Sequence, residues 1–322
     1  MRKLVEYSAF HRGKYGRKEK NHKQKRNLME KKKTEELTEG ALCGEFYVGK
    51  DKKVRFSKGN LQFNAVQGTH KASYREELPG TWRFAEHQWD VIGKDNKKIS
   101  ETYDGFIDLF GWATPGGWLA NPWETSKKLK VYYFLNYDIE DPEDEENYSL
   151  DDDCDWGYNA ISNGGDTKGK WRTLTGGEWR YLFLHNRWTM GRIEGMLCFL
   201  LIPEGVEVPA KVVSETFDKE QLKSGMVFYK ADYESNSFTE EQFKKYEELG
   251  VVALPCGGRR TGKKVDEVGV TGVYWSSSIC DMEVAYNFVI CHNLSDSKCF
   301  VESVEAGEYL FSGCSVRLVQ DI

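Results

Sequence analysis

Apolar and polar residues alternate first at Phe46, Val48, Val54 and Phe56, on either side of Gly49-Lys50-Asp51-Lys52. Period-two alternation around a glycine-bearing turn predicts a β-hairpin, and Leu61-Gln62-Phe63 reads as its extension. Thr81-Trp82-Arg83-Phe84 predicts another strand, followed by a segment over 86–92 that turns Trp89 and Ile92 toward a core. The period changes at WRTLTGGEWRYLF. Thr175 stands three residues before Glu178, the spacing of a capping box, and Trp179, Leu182 and Phe183 recur on one helical face. A helix therefore starts at Thr175. The run 195–203 is continuously apolar up to Pro203, as in a central strand buried on both faces. TEEQFKKYEELG predicts a second helix, capped by Thr239, with Phe243 and Leu249 on its apolar face and Gly250 ending it. Short strands follow at 251–255, 272–278, 285–290 and 315–319. Two helices, many short strands and long Gly/Trp-rich loops, as in DGFIDLFGWATPGGWLANPW, predict an α+β domain without internal repeats.

Composition supports a folded body and divides the chain. Of 322 residues, 14% are aromatic, enough to anchor glycine-rich loops. No window approaches the ~18–20 apolar residues of a membrane helix. Residues 1–33 hold 13 Lys and Arg against 3 Asp and Glu, whereas the rest holds 32 against 48. The expected organisation is thus a basic, disordered arm over 1–36 and a single domain over 37–322. The arm reads either as a nucleic-acid or targeting segment or as a solvated tail translated ahead of Met29. The acidic body argues against nucleic-acid binding except through that arm. The basic run is not followed by an apolar stretch, so it fails as a secretory signal. Cytoplasmic residence with free thiols is the expectation from this, with export or surface display as the alternative.

Chemistry-bearing patterns are sparse. The eight cysteines form no C-x-x-C pair, and six scattered histidines form no triad or metal motif. Asp151, Asp153 and Asp155 alternate like the start of a calcium loop. Trp156 stands where an EF-hand needs Gly and Ser162 where it needs Glu, so a looser calcium site or a solvated acidic loop is what remains. No other cofactor is expected.

Eight ordered segments carry a resemblance: VRFSKGNLQF, TWRFAEHQWDVIG, FIDLFGWAT, DWGYNAISNGG, WRTLTGGEWRYLF, LPCGGRRTG, GVYWSSS and GCSVRLV. Spread over 40–319, they resemble a family of gut-bacterial proteins with a C-type-lectin fold. That family is related to the variable proteins of diversity-generating retroelements and distantly to formylglycine-generating, sulfatase-modifying proteins. Thr175, Glu178 and Trp179 match the helix-start motif of the distant enzyme branch. That branch's copper-binding cysteine pair, with four residues between its members, has no counterpart among Cys280, Cys291, Cys299 and Cys314. The tripeptides Glu-Pro-Asn, Gln-Pro-Asp and Trp-Asn-Asp of calcium-dependent lectins are missing too.

The resemblance implies a non-enzymatic binding protein for a protein or glycan ligand, with an exposed face over 279–314 and the modifying enzyme as alternative. Outward positions there give the candidate ligand-binding residues Asp281, Glu283, Asn287, His292, Glu305, Tyr309 and Phe311. The two aromatics are the expected hot spots.

Overall fold

The computed structural model describes residues 37–65, 80–100, 103–114, 154–209, 212–230, 236–280, 284–293 and 298–322. The expected arm, over 1–36, and most of the acidic loop lie outside these residues. The hairpin forms where alternation predicts it: β1 (Ala41–Tyr47) pairs antiparallel with β2 (Lys53–Ser57), burying Phe46, Val54 and Phe56. Leu61-Gln62-Phe63 does not extend this hairpin. It lies in β3 (Leu61–Ala65), which pairs with β4 (Gly80–Phe84) in a separate two-stranded sheet. The segment turns away because Phe63 stacks on Trp82 in a second core, at 4.2 Å between ring centroids.

A short β5 (Arg172–Thr173) leads into α1 (Gly176–His185). Its capping box is complete: Glu178 N–H donates to Thr175 Oγ1 (3.1 Å) and Thr175 N–H to Glu178 Oε2 (3.0 Å). Trp179, Leu182 and Phe183 are fully buried, so the helix face read from the sequence is the face that packs. Strands β6 (Arg187–Ile193) and β7 (Met196–Ile202) follow as an antiparallel pair. A five-residue helix absent from the sequence reading, α2 (Lys219–Lys223), carries its own capping box from Asp218 and Gln221.

Next come β8 (Met226–Lys230), β9 (Ser237–Phe238) and α3 (Glu240–Glu247), capped by Thr239 as expected. Phe243 is buried, but Leu249 is 49% exposed: it lies past the last helical turn and off its apolar face. Gly250 then takes φ +91, and a Cβ on Gly44 would collide with its carbonyl. Both positions need glycine so that the hairpin can pass the end of α3.

The remaining strands are β10 (Val252–Pro255), β11 (Arg259–Thr261), β12 (Lys264–Asp266), β13 (Thr271–Ile279), β14 (Val284–Asn293), β15 (Lys298–Tyr309) and β16 (Leu318–Asp321). They complete sheets ordered β1-β2-β16-β5, β10-β7-β6-β9 and β13-β14-β15-β8, plus the β11-β12 pair. The architecture is α+β, made of small, mostly antiparallel sheets and few helices, and residues 39–322 form one compact unit.

Three tryptophans bind these small sheets together, their indole N–H groups reaching backbone carbonyls. Trp112 donates to Ser276 O (2.8 Å), Trp275 to Phe110 O (2.7 Å) and Trp171 to Gly164 O (2.9 Å). These three rings are thereby buried with their donors satisfied, whereas the indole N–H of buried Trp156 meets no acceptor among the described residues. Trp179 stacks on Phe288 of β14 at 5.0 Å, which fastens α1 to the long C-terminal sheet.

Where the sheets meet, Arg317 is fully buried. Its Nη1 reaches Asn60 Oδ1 (3.4 Å) and its Nη2 reaches Gln88 Oε1 (3.2 Å). Gln88 in turn donates to Glu247 (2.9 Å) and accepts from Ala253 N–H (2.7 Å). Burial pulls the guanidinium down to about 10, because no carboxylate touches it to offset lost hydration.

Candidate binding face

The longest strand pair, β14 with β15, carries the expected face. Between Tyr286 and Phe288 the register slips: Tyr286 sits opposite Gly307 and Phe288 opposite Ser303. β15 therefore bulges, and Glu305 lies in the bulge by its backbone. A bulge increases local twist and re-aims the strand beyond it, here the end of β15 at Tyr309.

Tyr309 is 51% exposed. Phe311, half-buried, stacks on it nearly parallel, at 5.2 Å and 11° between planes. Between them Leu310 points inward and is buried, and its carbonyl accepts from Trp112 N–H (2.9 Å). Ser312 N–H closes a turn onto Tyr309 O (2.8 Å), and Gly313 exchanges two backbone hydrogen bonds with Arg260 (2.7 and 2.8 Å). Arg260 itself is buried, with Nη1 on Gly262 O (2.8 Å). The aromatic pair thus stands on a base tied by backbone hydrogen bonds to two other segments.

A charged rim adjoins it. Glu308 Oε1 accepts from Ser312 Oγ (2.8 Å) and Tyr309 N–H (3.1 Å), and Arg259 lies 3.5 Å from its other oxygen. Arg259 also reaches Glu267 at 3.4 Å.

Of the seven residues named from the sequence, the structure brings Tyr309 and Phe311 together at this surface. Asn287 is a correction. It is 2% exposed, opposite Trp275 across the β13–β14 ladder, and faces the tryptophan-rich core rather than solvent. Alternation along β14 is intact, but Ala285 and Val289 on the same face pack in one core and Phe288 and Ile290 on the other face pack in another, so the strand offers no solvent face at Asn287. His292 lies opposite Cys299 in the β14–β15 ladder; its side chain and that of Glu305 lie outside the described residues, as do Asp281 and Glu283 altogether. The sequence reading missed Glu308, Ser312 and Arg259. Arg259 and Arg260 look identical in LPCGGRRTG, but strand alternation in β11 sends one out and the other in.

Asp155, suggested for calcium, is buried and already used. Its Oδ1 accepts from Gly157 N–H (2.7 Å) and its Oδ2 from Thr173 N–H (3.0 Å). Burial nevertheless pushes its carboxyl above the ordinary range. Asp151 and Asp153 lie outside the described residues. Among those described, no group of three or more His, Cys, Asp and Glu is placed to hold a metal ion, and no helix is long and apolar enough to cross a membrane. Cys198, Cys280 and Cys314 are free thiols. Burial raises the Cys314 thiol well above its usual value, which suits packing rather than nucleophilic or metal-binding use. Set against known proteins, the chain matches no family model, no curated protein and no solved structure.

Proposed function

We propose that this protein is a non-enzymatic binding module that captures a macromolecular partner through the Tyr309–Phe311 surface of a C-type-lectin-like scaffold. The reading is that of a receptor diversified in the manner of retroelement variable proteins. The observation that carries the binding role is the stacked, half-exposed aromatic pair on a hydrogen-bonded base. Aromatic side chains lose little conformational entropy on binding and supply much of the energy at protein interfaces, while a charged rim sets association rate and partner choice. The capped helix at Thr175 and the buried Trp275 support the scaffold reading, since both fall in segments that resemble the family.

The test is affinity capture from mixed bacterial and host-cell lysates with the wild type and Tyr309→Ala/Phe311→Ala. A partner should be retained by the wild type and lost by the double variant. Each single change should weaken the purified interaction by about 2 kcal/mol, roughly 30-fold in Kd, with little change in melting temperature. Full retention by the double variant overturns the assignment of the face.

A further inference from the structure

A cleft of about 510 Å³ opens beside the β3–β4 sheet and shares no lining residue with the Tyr309 surface. Its volume is that of a small-molecule site, and its walls are fixed. Asn163 imitates a neighbouring strand by accepting from Phe84 N–H (2.7 Å) and donating to Phe84 O (3.0 Å). On the opposite side, Ile92 N–H is tied to Asp108 (2.7 Å).

Two cations line the cleft, Lys58 and Arg83, and neither meets a carboxylate among the described residues. Arg83 is held in place by neutral contacts. Its guanidinium lies 3.6 Å over the Phe106 ring, and its Nε donates to Gln62 Oε1 (2.9 Å). The terminal nitrogens are left for something else. A guanidinium oriented in this way, with its fork free, is matched to a carboxylate of a ligand. The cleft also presents acceptors: Glu86 is exposed and unpaired, while Asp90 is anchored by one oxygen to His87 Nδ1 (3.0 Å) and His87 N–H (3.0 Å). Val91 and Ile92 add a half-exposed apolar strip.

A simple anion would find the two carboxylates repulsive, and a neutral sugar would leave the cations unused. A ligand carrying one carboxylate, several hydroxyls and an apolar ring face satisfies all three features together. We propose that this cleft is a second binding site, separate from the aromatic face, and that it takes an acidic monosaccharide unit of the uronate type. The carboxylate sits on Arg83 and Lys58, the hydroxyls donate to Glu86 and Asp90, and the ring's C–H face lies on Val91 and Ile92.

Titration calorimetry on the full chain with D-glucuronate tests this, with D-glucose, succinate and glucose 6-phosphate run alongside. Glucuronate should bind saturably, and the other three should bind about tenfold or more weakly, since each lacks at least one of the matched features. Arg83→Gln should weaken glucuronate binding by about tenfold, and Lys58→Gln by a smaller factor. Lys58 makes no packing contact like that of Arg83 on Phe106, so the second variant stands even if the first perturbs the fold. Tyr309→Ala/Phe311→Ala should leave glucuronate binding unchanged, which keeps this site's failure distinct from failure of the aromatic face. No saturable binding of glucuronate, equal binding of succinate, glucose or glucose 6-phosphate, or unchanged binding in both cleft variants would each overturn the proposal.

Discussion

Replacing Asp108 by Asn should remove a pH-dependent loss of stability at one buried site. Asp108 is 1% exposed and is surrounded by neutral donors: Ile92 N–H on Oδ2 (2.7 Å) and Asn96 Nδ2 on Oδ1 (2.7 Å). Asn96 returns the contact by accepting from the backbone N–H groups of Asp108 (3.1 Å) and Leu109 (3.2 Å). Burial raises the carboxyl to about 6 from 3.8, and these hydrogen bonds only partly oppose it. That difference corresponds to about 3 kcal/mol. Because the folded value is the higher one, folding favours the protonated acid. The contribution is complete below about pH 4 and is lost as pH rises through about 6.

Asn at this position carries no charge, so it escapes the loss. It also turns an amide N–H₂ toward one of the present donors, which costs about 1–3 kcal/mol at every pH. The readout is therefore a difference of differences. Urea unfolding of wild type and Asp108→Asn at pH 4.5, 6 and 7.5 should show the variant gaining on the wild type by about 2 kcal/mol across that range. A gap independent of pH, or one that widens against Asn as pH rises, would mean that the buried carboxylate is stabilised as an ion and would refute the reasoning.

Two further outcomes concern the scaffold. Arg172 holds Glu178 through two hydrogen bonds (2.6 and 2.8 Å) and Asp321 through two more (2.9 and 2.7 Å). Burial pushes Glu178 up, but Arg172 and Lys52 outweigh it and keep the carboxyl below its ordinary value. Arg172→Ala should cost about 2–3 kcal/mol at pH 7 in chemical denaturation, since Glu178 keeps only Lys52 as a charged partner at 2.7 Å. The difference from wild type should shrink as pH falls below about 4.5, the ordinary value, and on through the lower value of the folded carboxyl; a cost that persists unchanged in acid down to the limit of folding would argue against a charge-based role. Trp179→Ala should cost about 3–5 kcal/mol, because the indole is fully buried between Phe56, Tyr274 and Phe288; a melting temperature within a degree of wild type would show that the core lies elsewhere.

Features set by neighbours in the chain were legible in the sequence. The capping boxes at Thr175 and Thr239 depend on residues three positions apart, and the first hairpin on a turn between two alternating runs, so spacing alone finds them. The box at Asp218 had the same signature but opens a helix too short to leave a period. What escaped were choices made between distant segments. Leu61-Gln62-Phe63 pairs with β4 rather than the hairpin because stacking on Trp82 decides its partner. Asn287 is buried because distant segments cover both faces of β14, which alternation within the strand cannot reveal. Asp108, Arg260 and Arg317 read as surface residues by type yet are buried, their environment supplied by segments far along the chain. Tyr309 and Phe311, named as outward positions, do come together at the surface. The cleft was not, since Lys58, Arg83 and Glu86 have no joint pattern until β3 and β4 pair.

The junction around Arg317 has a consequence for how this chain comes into being. Asn60 and Arg317 stand 257 positions apart, and β16 fills the gap between β2 and β5. Until β16 leaves the ribosome, the β1–β2 hairpin, complete from the start, presents the outer edge of β2 unpaired throughout synthesis of the intervening strands. An open strand edge is a template for pairing with other chains, and contacts of such long range are slow to close. Nascent chains halted before Leu318 should therefore be engaged by chaperones or aggregate, whereas emergence of β16 seals the sheet in a single step.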